Sequence, residues 1–385
     1  MLYLAGIFID FFLLVILIGK KNKSDADKIL ACWLLVIGLH LTYYYLFVSG
    51  QYVRYPEIMG FEVPIPLLHG PFFYLYTSSL TNQIKWKKLR LLHFLPFLLS
   101  YIPLIPFLLL PDEEKLYPYA HQGAGYKWLT QPLNILFIIS GVVYLVLSLI
   151  KLSRHRKNIS EQFSNTDRIN LAWLQYLVIG MTCIWVIVIF GTDEILFTAV
   201  AFFIFFIGYF GIKQTDIFSK NPAQPDEPVV LPIVEIQNNE NQELRKESSI
   251  TLEKGKYQKS TLTENDLLQI HHRLTTTMKN EKLYTNPELT LGETAQQINI
   301  HPNILSQVIN SVAKKNFYDF INHQRVEEFI RLVMLPENQK FTLLSLAFEC
   351  GFNSKTSFNR NFRKVMGLSP SDFLKQKNVV LKQAS

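Results

Sequence analysis

The sequence predicts an all-α chain in two unlike halves. A seven-helix transmembrane domain comes first, and a C-terminal domain with two helix-turn-helix units in tandem follows. Three observations predict it. Long apolar runs fill residues 1–212 and then stop. Basic residues alternate between the segments that join those runs. One short two-helix pattern occurs twice beyond residue 290.

The bulk composition fits this division. The 385 residues are 49% hydrophobic and 18% charged, with a mean hydropathy of +0.15. That value is high for a soluble chain and low for a purely membrane-embedded one, because it averages two halves. The net charge of +7 is small enough that its location matters more than its size. Cys32, Cys183 and Cys350 have neither disulfide nor zinc spacing and are expected to be buried free thiols.

A spanning helix needs about 20 apolar residues. Seven segments qualify as candidates: 2–18, 29–48, 64–80, 91–110, 132–152, 171–190 and 195–212. The third is the weakest, being short and interrupted by Pro64, Pro66, His69, Gly70 and Pro71. Among the connections, the first carries Lys20, Lys21, Lys23 and Lys28, the third Lys85, Lys87, Lys88 and Arg90, and the fifth Lys151, Arg154, Arg156, Lys157 and Arg168. The intervening ones hold only Arg54, Lys115 and Lys127, so the alternation is thirteen against three. The positive-inside rule then places the N-terminus outside and the C-terminal half in the cytoplasm. No basic residue precedes the first segment and no small-residue cleavage site follows it, so it reads as a retained anchor.

Ionisable groups within apolar spans are costly and are therefore candidates for function. Asp10, His40, His69 and His93 fall in the first four segments, and Asp193 and Glu194 precede the seventh. Two readings stand side by side: a ligand pocket or proton-linked sensor, and interhelical hydrogen bonding that fixes packing. Trp33, Tyr43 to Tyr45, Trp86 and Trp128 fit an interfacial aromatic belt. No clustered acid, base or nucleophile suggests a membrane enzyme, and no cofactor or metal is expected.

Residues 213–258 read as a flexible cytoplasmic connector, Pro-rich at 221–228 and polar at 238–255, with an apolar island at 229–236 that suggests a short strand. Proteolytic release along it is one route by which a signal could reach the next domain.

The C-terminal domain, 259–385, begins with a helix over 264–282, where Leu267, Ile270, Leu274 and Met278 keep helical spacing. Two segments then match each other, about 290–311 and 342–366. Thr290, Leu291, Ala295 and Ile300 pair with Thr342, Leu343, Ala347 and Phe352 at an offset of 52, and Leu305 and Ile309 pair with Phe358 and Phe362 at 53. The slip falls after Gly351, in the turn of a helix-turn-helix pattern. In the first unit Ile304, Leu305, Val308 and Ile309 face inward, and Asn303, Ser306, Gln307 and Asn310 face the other way. In the second unit Phe358, Phe362 and Val365 face inward, and Thr356, Asn359, Arg360 and Arg363 face outward, with Lys355 at the helix start. Amides, hydroxyls and guanidinium groups read base edges in the major groove. From Lys340 onward eight basic residues stand against two acids, so attraction to phosphate is expected mainly from the second unit. A buried connecting helix spans 317–335. Its Arg325 is expected to contact phosphate or to anchor to a carboxylate. A last helix starts at Ser369-Pro370-Ser371-Asp372.

Over roughly 260–376 these residues resemble the AraC/XylS family of bacterial transcription regulators. The resemblance rests on Leu291 and Ala295, on 317–325, and above all on Ala347, Gly351, Phe352, Ser354, Phe358, Phe362, Gly367, Ser369 and Pro370. It implies two helix-turn-helix subdomains joined by a rigid helix and set into successive major grooves. The implied contacts are Asn303, Ser306 and Gln307, then Lys355, Thr356, Asn359 and Arg360. His301, where the family commonly has a serine cap, departs from the pattern, as does Pro302. The N-terminal half is similar to the multi-pass membrane variants of the family. The expected partners are double-stranded DNA, the lipid bilayer, a second copy in a homodimer and an unidentified signal ligand. The rival reading is a seven-helix receptor or transporter whose cytoplasmic helix-turn-helix domain binds protein.

Overall fold

A computed structural model describes residues 1–81, 87–121, 123–166, 171–213, 262–379 and 381–382. The expected connector beyond Lys213, with its apolar island at 229–236, lies outside these residues, as do Lys85, Trp86 and Arg168. Contacts divide the chain into two units, Met1–Ser219 and Lys220–Ser385. All regular elements among the described residues are helices.

The first unit contains α1 (Leu2–Gly19), α2 (Asp25–Val48), α3 (Pro66–Leu80), α4 (Leu95–Leu99), α5 (Ile105–Leu108), α6 (Asp112–Ala120), α7 (Lys127–Gln162), α8 (Ala172–Phe190) and α9 (Asp193–Lys213). Helix α2 starts where it does because Ser24 and Asp27 cap each other. The Ser24 hydroxyl accepts the Asp27 N–H at 3.1 Å, and the Asp27 carboxylate accepts the Ser24 N–H at 2.8 Å. Lys20 reaches the same carboxylate at 2.8 Å, and Arg90 pairs with Asp25 at 3.2 Å. Two residues of the basic connections are therefore tied to the first turn of α2.

Six stretches among the described residues are long and apolar enough to cross a membrane. Helix α3, with 15 residues, is not one of them. It rises only about 22 Å, less than a hydrocarbon core of roughly 30 Å. The segment expected as one helix over 91–110 is instead a 3-10 stretch (Lys87–Phe94), α4, a 3-10 turn (Ile102–Leu104) and α5. Pro96, Pro103 and Pro106 each remove a backbone donor and crowd the preceding turn, so an unbroken ladder cannot form. In contrast, α7 continues to Gln162 for 36 residues, about 54 Å. Lys151, Arg154, Arg156 and Lys157 therefore lie on the helix, not in a loop. Asp193 and Glu194 likewise occupy the first turn of α9, where their charge suits the helix dipole.

The packing closes a ring: α1 on α2, α2 on α3, α3 on α7, α7 on α8, α8 on α9, and α9 back on α1. Trp33 is buried at its centre against Phe73, Tyr76 and Phe203. It is not in an aromatic belt, because its indole N–H finds an acceptor inside, His69 Nδ1 at 3.3 Å. Trp128 does face outward. Cys32 and Cys183 also lie exposed on the helices, and only Cys350 is a buried thiol.

The second unit contains α10 (Glu264–Glu281), α11 (Leu291–Gln297), α12 (Pro302–Ser311), α13 (Phe317–Val333), α14 (Leu343–Glu349), α15 (Lys355–Met366) and α16 (Pro370–Gln376). It has two cores. Leu274, Met278, Leu291, Ala295, Leu305 and Ile309 form one around Phe317, Phe320 and Ile321. Leu346, Ala347, Phe352, Phe358, Phe362 and Phe373 form the other around Val326, Phe329 and Val333. The two halves of α13 thus serve different cores, and the polar residues Asn322 and Arg325 are buried at the crossing between them.

A Cβ at Gly141 would stand 1.9 Å from the Trp185 indole, so α7 and α8 meet only because that position is bare. Gly141→Val should destabilise the detergent-solubilised chain by about 1–3 kcal/mol, as overpacking does. Adding Trp185→Ala should recover part of the loss. An unchanged thermal midpoint for the single variant would show that these helices do not meet there.

Candidate nucleic-acid interface

The two helix-turn-helix units share a backbone plan. Thr290 caps α11 through the Glu293 N–H at 3.2 Å, and Thr342 caps α14 through the Ser345 N–H at 3.1 Å. Each first helix ends in a left-handed residue, Asn299 at φ 51° and Gly351 at φ 93°. In each, the next N–H returns to the buried alanine carbonyl: Ile300 to Ala295 at 3.0 Å and Phe352 to Ala347 at 3.2 Å. Each second helix then has its own cap. His301 Nδ1 accepts the Asn303 N–H at 3.2 Å, and the Ser354 hydroxyl accepts the Ser357 N–H at 3.1 Å. The change of offset from 52 to 53 is therefore one extra residue, Asn353, between turn and cap. Histidine fills the serine's place with a ring nitrogen.

Apolar burial sets the orientation of the second helices. Leu305, Val308 and Ile309 on α12, and Phe358 and Phe362 on α15, are buried. Ile304 and Val365 are half-buried. The opposite faces emerge together. Asn303, Gln307 and Asn310 are exposed and Ser306 is half-buried beside them, its hydroxyl accepting from the Asn310 amide at 3.3 Å. On α15, Lys355, Thr356, Asn359, Arg360 and Arg363 are all exposed. Nine polar side chains expected to act together thus lie on two equivalent faces.

Arg360 also packs within the domain. Its Nη2 donates to the Tyr318 hydroxyl on α13 at 2.8 Å, and the guanidinium lies 6.0 Å from that ring's centre. The same hydroxyl accepts from Asn361 Nδ2 at 2.7 Å, and Lys364 pairs with Asp319 at 2.6 Å. Sequence inspection alone missed Tyr318 and Asn361. A signal existed, since Asn361 falls on the apolar stripe of α15 between Phe358 and Phe362, where an amide is stable only with buried partners.

Arg325 is turned into the domain, with the charge of Glu288 acting on it. It is 2% exposed. Its Nε donates to the Tyr284 carbonyl at 2.7 Å, Nη2 to the Asn286 carbonyl at 2.7 Å, and Nη1 to Asn322 Oδ1 at 3.2 Å. Burial lowers its pKa to about 10, so it remains charged at neutral pH. The backbone of the second unit's turn lies against this group, because a Cβ on Gly351 would stand 2.3 Å from the Tyr284 carbonyl oxygen. Nearby, Arg331 at 2.8 Å and Lys282 at 3.1 Å hold the Glu328 carboxyl down to about 2. Burial pushes the Cys350 thiol up to about 12, so it is not a reactive thiolate.

Residues 294–376 match the model of a helix-turn-helix domain family. This segment is an AraC-type helix-turn-helix domain, the kind that binds DNA in transcription regulators. The match begins inside α11 and ends with α16, so it takes in both units. No curated protein and no solved structure matches the chain.

The polar residues expected within the membrane half divide. His40 Nδ1 and His69 Nε2 are 3.0 Å apart, joining α2 to α3. His93 Nδ1 meets the Tyr144 hydroxyl of α7 at 2.9 Å. Asp10 is fully buried without a hydrogen-bond partner, its Oδ2 only 2.4 Å from where a Cβ on Gly38 would stand.

Arg325→Met should leave two buried carbonyls unpaired and cost about 3 kcal/mol. Gly351→Ala should be comparably destabilising, since both φ and space forbid it. Denaturant unfolding of a 259–385 fragment measures both, and wild-type stability for either would refute the wedge. Glu328 has a folded pKa below its unfolded one, so its contribution is present above about pH 4.5 and is lost as pH falls toward 2. Glu328→Gln should flatten that part of the stability–pH curve.

Proposed function

We propose that this protein is a membrane-anchored transcription regulator that binds specific DNA sequences and responds to a signal at the membrane or outside it. The observation that carries the reading is the pair of equivalent, exposed polar faces on α12 and α15, within a helix-turn-helix domain match. Asn303, Ser306, Gln307 and Asn310 are assigned to base edges or to water-bridged contacts. Thr356, Asn359 and Arg360 are assigned to base edges, and Lys355 and Arg363 to phosphate. The concentration of basic residues after Lys340 supports phosphate attraction through the second unit.

The membrane reading is supported by the outer surface of the first unit. Phe8, Val15, Leu91, Ile139 and Phe190 are exposed there, and such a surface suits lipid rather than water. Seven crossings are proposed, with α3 the short one between α2 and α7. An odd number fits the alternation of basic connections, with the N-terminus outside and 259–385 in the cytoplasm of a bacterial inner membrane. Residues 1–212 would be the sensor and 213–258 the connector. The signal would act by altering packing or homodimer pairing, and with it DNA occupancy.

The 259–385 fragment should bind duplex DNA with an affinity that falls steeply with salt. Arg363→Ala should reduce affinity for all sequences and lower the salt slope by about one. Arg360→Ala should cost about 1–3 kcal/mol and relax the preference at one base pair. Tyr318→Phe should weaken specific binding less than Arg360→Ala does. Absence of any salt-dependent DNA affinity would favour a protein-binding role for the domain. For topology, a cysteine at Glu57 should react with a membrane-impermeant thiol reagent on intact cells and one at Lys21 should not. The reverse pattern would invert the proposed orientation.

A further inference from the structure

At the end of the first unit that carries the N-terminus, a cavity of about 250 Å³ is lined by His40, Tyr44, Glu62, Tyr119, Asp193 and Phe197. It is smaller than the pockets that take drug-sized ligands, which limits it to a small one. Both charged side chains on its wall are carboxylates, and among the described residues neither has a cationic partner. Glu62 is partly buried in the segment between α2 and α3. Burial raises its carboxyl above the ordinary glutamate range, opposed by donors from the Tyr119 hydroxyl and the Gly60 N–H. No cation offsets Glu62 among the described residues, so a bound cation would favour its ionised form over the neutral acid.

The histidine contributes none. The Trp33 indole can only donate, so His69 Nδ1 must carry a lone pair, and the proton of His69 sits on Nε2. That proton is donated to His40 Nδ1, which leaves His40 neutral with its own proton on Nε2. The two carboxylates therefore set the charge of the cavity.

The rest of the wall is aromatic. Tyr44 stacks on Phe197 with centroids 3.7 Å apart, and Tyr52 and Tyr119 lie 5.9 Å apart across the cavity lining. Acids set beside aromatic rings favour a cation that draws on negative potential and ring faces. Each Glu62 oxygen already accepts one hydrogen bond, Oε1 from Tyr119 and Oε2 from Gly60 at 2.9 Å. An alkylated ammonium needs only negative potential and ring faces, and asks for no acceptor beyond those the donors already occupy. A second cavity of about 210 Å³ shares Glu62 and Tyr119 and is otherwise walled by apolar groups such as Leu104 and Phe107, giving room for an apolar arm.

We propose that this cavity binds a small quaternary-ammonium cation, with Glu62 and Asp193 supplying the charge and Tyr44, Tyr119 and Phe197 the aromatic wall. That such a cation is the signal rests on the regulator reading above, but its binding does not. The test is calorimetric titration of the full-length protein in detergent with choline, with its neutral carbon isostere 3,3-dimethylbutanol and with ethanolamine. Choline should bind saturably, about tenfold tighter than the isostere and tighter than ethanolamine. Glu62→Gln should weaken choline about tenfold. Asp193→Asn, at an exposed helix start that the fold does not depend on, should weaken it several-fold. The proposal is overturned if choline does not bind, if the isostere or ethanolamine binds as tightly, or if Asp193→Asn and a folded Glu62→Gln both leave choline affinity unchanged. Duplex-DNA titration of the same sample keeps the two readings apart. Lost DNA affinity with intact choline selectivity would sink the regulator reading and uphold the site.

Discussion

The guanidinium of Arg325 sits where the two cores of the C-terminal unit meet, and the register of the unit depends on it. It donates to carbonyls at Tyr284 and Asn286, which belong to the entry of the first helix-turn-helix, while the Gly351 backbone of the second presses against the same place. A charged group is costly to bury and is retained only when its donors are satisfied in fixed directions. The planar fork of arginine does this, and in doing so it fixes the chain before the first unit to the turn of the second. Helix α13 can then act as a rigid strut whose halves belong to different cores.

The exposed polar face of α15 inherits its placement from this strut. Tyr318 and Asp319, in the first turn of α13, hold Arg360, Asn361 and Lys364 of α15. One of the residues assigned to DNA is therefore also a joint between the strut and its helix. Binding that drew Arg360 toward a base would have to release or share the Tyr318 hydroxyl. The Arg360 side chain is thus coupled to the packing of the connecting helix and is not independent of it.

The N-terminal unit solves a different problem. Its outer surface is apolar as well as its interior, so close packing and internal hydrogen bonds carry much of what fixes one helix against the next. Bare positions such as Gly141 and Gly38 allow close approach, and the Trp33–His69–His40 chain links α2 to α3 with matched donors and acceptors. The prolines that break the segment before α6 leave irregular backbone that packs on α3 along one side, while Leu91, Leu98 and Ile102 stay exposed. The buried carboxylate of Asp10 is the exception to this economy, being fully enclosed and unpartnered.

What the sequence determined by itself was whatever repeats with a period. Apolar runs, alternating basic connections and the duplicated pattern at offsets 52 and 53 were legible because helix geometry turns spacing into faces. The paired helix-turn-helix plan and the outward turn of one polar face on each second helix followed from that. What only the tertiary structure decided was where lone polar groups find partners. Arg325 could not be placed from its neighbours in sequence, because its acceptors are backbone carbonyls some forty residues earlier. Trp33 could not be taken out of the interfacial belt without knowing that His69 stands beside it. Glu62 carried no motif, and its place in an acidic aromatic cavity comes from three segments that only folding brings together. Periodicity is a property of the chain, whereas the satisfaction of a buried donor or charge is a property of the packed molecule.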